Sequence, residues 1–334
     1  MELKQLGEFA LIDLIKSNTI NNEKNIVLGI GDDAAVFIPT PNRLQLVTTD
    51  MLVEKIHFDL CTTTARQLGY KSIAVNLSDI AAMGGVPTHA VVSIALPNYL
   101  AVDFVVSLYE GMKEICHEFG VNIIGGDTVS SPRGLVINVT AMGEVEPEKV
   151  LRRSGASVGE LLAVTGTLGN SGCGLDLLLQ GKWEECDFFE PLVTKHLAPK
   201  PQIRAGTMLA SLGAASMNDI SDGLASEVNE IASASNVGMR IYRDKIPLSP
   251  EVRSAALALG KSAIDYALYG GEDYQLVFTI SPEYFQELSR RDIGIEVTAI
   301  GEVIEPSQGV QCIAKDGTTF LLEPKGYNHF RLAD

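Results

Sequence analysis

The 334 residues suit about two domains at roughly 150 residues each. Hydrophobic residues make up 46% and charged residues 20%, an ordinary globular composition that excludes a disordered chain. With 26 Lys and Arg against 42 Asp and Glu, the net charge of −16 repels phosphate at long range and argues against binding nucleic acid or an anionic membrane surface.

Residues 6–17 have helical periodicity, and LQLVTTD (44–50) alternates as a strand ending on an acid. Residues 64–83 predict a helix stopped by Gly84-Gly85, with Pro87 just beyond. HAVVSIAL (89–96) reads as a strand, and 101–119 as a helix ended by Gly120. VNIIGGD (121–127) reads as a buried strand entering a Gly-Gly turn, and 134–145 as a long strand. The connector PEKVLRRSGASVG (147–159) is basic and carries Gly and Ser, which sets the expected boundary between domains at 1–148 and 149–334. Beyond it, ELLAVTG (160–166) predicts a strand leading into the glycine-rich loop GTLGNSGCG. Helical patterns follow at about 172–181, 184–196, 202–212, 222–236 and 249–260, and from 275 the chain mixes strand and helix. No regular βαβ period runs through either half, so the expected class is α+β.

No apolar run approaches the roughly 18 residues of a membrane span, and MELKQLGEFALIDLIKS lacks the apolar core of a signal peptide. The five cysteines form no CxxC pair, which fits a reducing compartment. The expectation is a cytoplasmic protein without a membrane partner.

The chemistry lies in where the acids fall. Asp32 and Asp33 follow Gly29-Ile30-Gly31; Asp50 ends a strand after Thr48-Thr49; Asp127 follows Gly125-Gly126. Asp219 and Asp222 flank Ser221, where a strand runs into a helix, and Glu272 and Asp273 follow Gly270-Gly271. Singly, each is also a routine turn or cap signature. Asp79 is different, because it sits one turn after Asn76 on an otherwise apolar helix. Burying a lone carboxylate costs several kcal/mol, so it needs a cation or a hydrogen-bond network. Carboxylates with hydroxyls, and no His/Cys cluster, suit a hard ion such as magnesium. Gly29–Ala34 formally matches a dinucleotide fingerprint, but two acids in the loop would repel a pyrophosphate, and AVFIPTP after it predicts a strand. Gly260-Lys261-Ser262 lacks the first glycine of a P-loop, and ALALGKS continues a helical pattern. The five histidines show no metal-ligand spacing; His57 is singled out because it follows the Asp50 strand.

The segments GIGDDAAV (29–36), TTDMLVEKIHF (48–58), YKSIAVNLSDIAAMGG (70–85), IIGGDT (123–128), RRSGA (152–156), VTGTLGNSGCGL (164–175), DISDGL (219–224), YGGEDYQL (269–276) and GYNHF (326–330) run in the order found in one family. The chain resembles the thiamine-monophosphate kinase family, within the superfamily of aminoimidazole ribonucleotide synthetase and selenophosphate synthetase. The resemblance implies a two-domain α+β fold whose N-terminal halves pair as a homodimer through a β-barrel, with the C-terminal domain completing an ATP site. It implies ATP and thiamine monophosphate as substrates, and several magnesium ions, leaving a monovalent cation as an open addition. By position, Asp33, Thr48, Thr49, Asp50, Asp79, Asp127, Asp219 and Asp222 match magnesium ligands. Tyr109, Gly126, Arg153 and Ser221 match ATP contacts, joined by Asp127. His57, Glu272 and Tyr327 match substrate contacts. Asp50, Asp79, Asp127 and Arg153 are the expected catalytic set. The alternatives are another ATP-dependent enzyme of the superfamily and a non-catalytic nucleotide-binding module; the complete acid set argues against the second.

Overall fold

In the computed structural model the described residues are 3–182 and 187–325, without the side chains of Lys4 and Phe9. They form two compact units, Met1–Ile80 with Gly85–Glu148, and Ala81–Gly84 with Lys149–Asp334.

The first unit opens with helices α1 (Leu3–Leu6) and α2 (Glu8–Ile15) and a small hairpin of β1 (Ile26–Leu28) and β2 (Val36–Phe37). Strand β3 (Leu44–Val53), helix α3 (Ala65–Ala82), strand β4 (Val86–Pro97), helix α4 (Val102–Phe119) and strands β5 (Asn122–Ser131) and β6 (Val136–Val145) follow. The four-stranded sheet has the order β3-β6-β4-β5 and is antiparallel except for β4 and β5. One face is buried and the other more open, and the strands alternate accordingly. On β6, Ile137, Val139 and Ala141 are fully buried, while Val136, Asn138 and Thr140 are half-buried.

Helix α4 buries Val102, Val105, Leu108, Met112 and Ile115, an i, i+3, i+7 stripe, and Gly120 ends it at φ 68°. Helix α3 is buried nearly all round from Lys71 to Ala82, so its polar residues must bond internally. Ser72 donates to the Gly69 carbonyl at 2.8 Å, and Asn76 Nδ2 to that of Ser72 at 3.1 Å. The two long helices cross at a reciprocal pair of glycines. A Cβ on Gly69 would lie 1.8 Å from the Leu108 carbonyl oxygen, and one on Gly111 1.9 Å from that of Arg66.

The second unit carries β7 (Leu161–Thr165), α5 (Asn170–Leu179), α6 (Glu190–Leu197), α7 (Ile203–Ser211), β8 (Ala214–Asp219), α8 (Leu224–Ser235), β9 (Gly238–Tyr242), α9 (Pro250–Leu259), α10 (Ala263–Tyr269), β10 (Leu276–Ile280), α11 (Pro282–Leu288), β11 (Val297–Ile304), β12 (Val310–Ile313) and β13 (Thr319–Leu321). Its seven-stranded sheet has the order β13-β12-β9-β11-β7-β10-β8, antiparallel except for β12 against β9. Strand β10 lies between β7 and β8 and is buried at all five positions, which explains its unbroken apolar run LVF.

The architecture is α+β, as the lack of a βαβ period predicts. The pattern expected over 184–196 is a 3-10 turn at Asp187–Phe189 and α-helical only from Glu190, with 183–186 outside the described residues. ALALGKS does not continue one helix: α9 stops at Leu259, Gly260 takes φ 66°, and the Ser262 hydroxyl caps α10. The left-handed glycine and the new cap reset the backbone where side-chain periodicity alone runs on.

Gly111→Ala is expected to destabilise the protein by about 3 kcal/mol, because the new methyl meets rigid backbone rather than a mobile side chain. Urea unfolding followed by far-UV circular dichroism measures it; a loss under about 0.5 kcal/mol would mean the helices separate without cost.

Candidate functional site

In the first unit the site is built on the free edge of β3. Asp50 pairs with Val139 and Thr48 with Ala141, both in buried rows of the sheet, so Thr48 and Asp50 project to the buried face. The Asp50 N–H donates to Asn76 Oδ1 at 3.0 Å, and the Thr48 hydroxyl donates to Asp79. Asn76 and Asp79 lie one turn apart on α3, which is why the helix meets this strand with both polar side chains. Asp50 has its pKa pushed up to about 6, first by burial and then by the Asp79 charge. Two acids that raise each other's cost of ionisation beside a hydroxyl form a place that favours a cation.

The other predicted residues of this unit are spread more widely. Thr49 faces away from Thr48 and Asp50. Its hydroxyl donates to the Val139 carbonyl and accepts from Asn138 Nδ2 at 3.1 Å. Strand alternation thus places the Thr49 side chain on the face opposite those of Thr48 and Asp50. The register runs Asp127–Ser93–Asn138–Met51, which puts Asp127 on the open face with Thr49. Gly126 sits in the Val92–Val139–Asp50 row, and a Cβ there would lie 2.0 Å from the Val92 carbonyl oxygen. That glycine is required by the close approach of β4 and β5, whatever else it contacts. Asp33 is exposed in the turn between β1 and β2. His57 follows β3 in a turn, and the Val53 N–H donates to its Nδ1 at 3.0 Å, which leaves the ring proton on Nε2. Tyr109 is 5% exposed within the packed stripe of α4, and burial raises its hydroxyl pKa.

In the second unit, strand ends gather the acids. Asp219 pairs with Leu276, the Leu276 N–H donates to Thr165 Oγ1 at 2.9 Å, and Thr165 pairs with Val297. These residues form one row across the end of the sheet. Glu272 N–H donates to the Ser221 carbonyl at 2.6 Å, and Tyr274 N–H to that of Ile220 at 2.9 Å. The chain thus holds Asp219, Ser221, Asp222 and Glu272 together at this end. A cavity of about 330 Å³ in the same unit is lined by Gly166, Thr167, Asn170, Lys195, Asp273 and Gln275 among others, and by none of Asp219, Ser221, Asp222 and Glu272.

Sequence reasoning missed the group that supports these acids. Glu227, on α8, accepts from Asn218 Nδ2, from the Asp222 N–H at 3.0 Å and from the Ser221 hydroxyl at 3.3 Å. Burial, and then the Asp219 charge, raise its pKa. Asn218 also donates to Glu230 at 3.1 Å, and Glu230 pairs with Arg153 at 3.2 Å. Arg153 is thereby connected to Ser221 through three side chains, which no sequence spacing reveals. Tyr327 lies outside the described residues.

Residues 31–145 match the model of the AIR synthase related protein N-terminal domain, and residues 157–313 that of its C-terminal domain. The thiamine-monophosphate kinase of Bacillus subtilis (strain 168) is 38% identical over 333 residues, 98% of this chain and 100% of that protein. That of Aquifex aeolicus (strain VF5) is 40% identical over 99% of this chain and 100% of that protein. The chain belongs to the thiamine-monophosphate kinase family. Two solved structures carry the likeness into three dimensions. The thiamine-monophosphate kinase of Stenotrophomonas maltophilia K279a, 36% identical, superposes with a TM-score of 0.83 over 95% of this chain and 98% of that one. AaThiL complexed with AMPPCP and TMP, 37% identical, gives 0.79 over 99% of both chains. The hydrogenase maturation protein HypE of E. coli, 21% identical with a TM-score of 0.75 over 97% of this chain and 98% of that one, shares the fold of the thiamine-monophosphate kinase family.

Replacing Asp79 by Asn keeps an acceptor for Thr48 and removes the like charge. Without divalent cations, the Asp50 titration midpoint is expected to fall below about 6 and to stay above 3.8, because burial is the larger cause of its shift. Carboxyl-carbon NMR measures it; an unchanged midpoint would mean that the two acids do not interact.

Proposed function

We infer that this protein transfers the γ-phosphate of ATP to thiamine monophosphate, giving thiamine diphosphate and ADP. The observation that carries this reading is end-to-end similarity to thiamine-monophosphate kinases, with every expected acid present in this sequence. AaThiL, bound to AMPPCP and TMP, supports the same substrates: AMPPCP has the form of ATP, and TMP reads as thiamine monophosphate.

The acceptor is a phosphate monoester whose second pKa is near 6, so it is largely ionised at neutral pH and needs no strong general base. The difficulty is bringing two anions together. Among the described residues, no three His, Cys, Asp or Glu side chains converge into a metal cage. The donors named in this reading are carboxylate and hydroxyl oxygens, which suit magnesium, an ion that takes one or two carboxylates and fills its shell with water and phosphate oxygens. Thr48, Asp50 and Asp79 would hold magnesium in the first unit, and Asp219 and Asp222 would hold a separate ion in the second. Asp33 and Asp127 are further carboxylate ligands in this reading, and Thr49 could contribute only backbone atoms on the buried side. Bound magnesium screens phosphate charge and stabilises the transferring group. Arg153 and Ser221 are proposed to contact ATP, with Gly126 offering backbone. His57 would donate from Nε2 to the substrate phosphate, and Glu272 would receive the cationic thiazolium.

A homodimer also belongs to this reading. Val47, Met51 and Val129 are 66%, 54% and 49% exposed on the open face of the four-stranded sheet, where a second copy would remove apolar surface from water. No helix among the described residues is long and apolar enough to cross a membrane.

With thiamine monophosphate, ATP and magnesium, ADP and thiamine diphosphate are expected to form in equal amounts, and EDTA to abolish both. Asp50→Asn is expected to lower kcat by on the order of 100-fold with the far-UV spectrum unchanged. Turnover with another acceptor and none with thiamine monophosphate would overturn the substrate assignment. In sedimentation velocity, Val47→Asp is expected to convert a dimer to a monomer; a wild-type monomer at micromolar concentration would remove the dimer from this reading.

A further inference from the structure

Glu272 stands in a stretch of backbone that needs holding. Its φ is +64° and that of Tyr274 is +48°, left-handed values that L residues seldom adopt. Such a conformation persists only where its surroundings over-determine it. Backbone bonds to Ser221 and Ile220 anchor the two ends of this stretch. Between them, the Asp273 carboxylate turns the other way and caps the start of α5, accepting from the Gly169 N–H at 2.6 Å and the Ser171 N–H at 3.1 Å.

Those anchors fix the backbone and leave the Glu272 side chain to be oriented. His196, near the end of α6, has its Nδ1 3.2 Å from Glu272 Oε2 and 3.0 Å from the Ser171 hydroxyl. The imidazole is 7% exposed and the Glu272 side chain 26%. A ring nitrogen lone pair facing a carboxylate at that distance would be repelled, so Nδ1 carries a hydrogen. That one hydrogen lies between the Glu272 carboxylate and the Ser171 oxygen, so the ring ties the side chain of Glu272 to the start of α5. Ser171 sits in the first turn of α5, the same turn that Asp273 caps. Backbone and side chain of this short segment are thus fixed to one helix start.

We propose that His196 is a positioning residue for substrate recognition: through Nδ1–H, with Ser171 behind it, it sets the Glu272 carboxylate toward the cationic half of thiamine monophosphate. This rests on the reading of Glu272 as a thiamine contact. The sequence hides the arrangement, because Ser171, His196 and Glu272 are separated by 25 and 76 residues.

The test is steady-state kinetics on the full-length protein, varying thiamine monophosphate and ATP separately. His196→Leu is expected to raise KM for thiamine monophosphate about tenfold, while kcat and KM for ATP stay within about twofold. His196→Asn, whose amide nitrogen sits near the place of Nδ1, is expected to restore KM to within about threefold. In a Glu272→Gln background, itself raised in KM, His196→Leu is expected to add less than about twofold, because the two residues act as one unit. Ser171→Ala, which leaves the backbone N–H to Asp273 in place, is the second probe should His196→Leu fail to fold; it is expected to raise the same KM about threefold. An unchanged KM for thiamine monophosphate in a folded His196→Leu, or in Ser171→Ala where His196→Leu does not fold, with Glu272→Gln raising it, would overturn the positioning role alone. An unchanged KM in Glu272→Gln would overturn the substrate role of Glu272 and the proposal with it. Side-chain nitrogen NMR of His196 separates the two failures, since the Nδ1–H signal is expected to shift in Glu272→Gln if the contact exists.

Discussion

A carboxylate removed from water must find a hydrogen-bond donor, a proton or a cation, and this acidic chain faces that requirement at both units. Asp273 is answered completely by protein: two backbone N–H groups at the start of α5 point at its two oxygens. Burial still leaves its pKa near 6, against the opposing effect of those amides and of Lys195. Glu227 is answered by Asn218, the Ser221 hydroxyl and the Asp222 N–H, yet stays raised by burial and by Asp219. Asp50 is raised by burial and then by the charge of Asp79, which accepts from the Thr48 hydroxyl. The gradation runs from an acid whose two oxygens meet backbone donors to acids that keep a like charge nearby, where a cation would lower the cost of ionisation.

That gradation follows from where the acids stand in their elements. The interior of a sheet commits every backbone N–H and C=O to a neighbour, so it has no spare donors for a ligand. A free strand edge and a strand end do have them. Asp50 is on the free edge of β3, and its N–H is taken by a side chain of α3 rather than by another strand. Asp219, Ser221 and Glu272 lie where β8 and β10 begin or end, and their backbones bond to one another across a short gap. The supporting elements are rigid for simple reasons: α3 is buried nearly all round, and β10 is buried at every position. Preorganisation of this kind matters for phosphoryl transfer, whose catalysis is mostly positioning and charge stabilisation.

Much of this was legible in the chain. The alternation of LQLVTTD, the apolar length of α3 and the Gly-Gly stops located the strands and helices that carry the acids. The oddity of Asp79 on an apolar helix was sufficient to mark it, since burial of a lone carboxylate is costly wherever the helix packs. Other features were beyond the reach of pattern. Periodicity ran through Gly260, where a left-handed residue ends one helix and a serine begins the next. Tyr109 matched a family position, and its place in the packed stripe of α4 could not be known from that match.

The sequence by itself determined the kind of donor on offer, hard oxygens at glycine-flanked turns, and a net negative charge that repels phosphate at long range. Those are properties of composition and local spacing, and they hold in any packing. The tertiary structure alone decided which donors share a place. Strand alternation sent Thr49 and Asp127 to the face opposite Asp50, because successive side chains on a strand point to opposite sides. Pairing of distant strands and helices joined Asn218 to Glu227 and Glu230, and His196 to Glu272. Contacts between residues far apart in the chain depend on register and packing, which no local pattern contains.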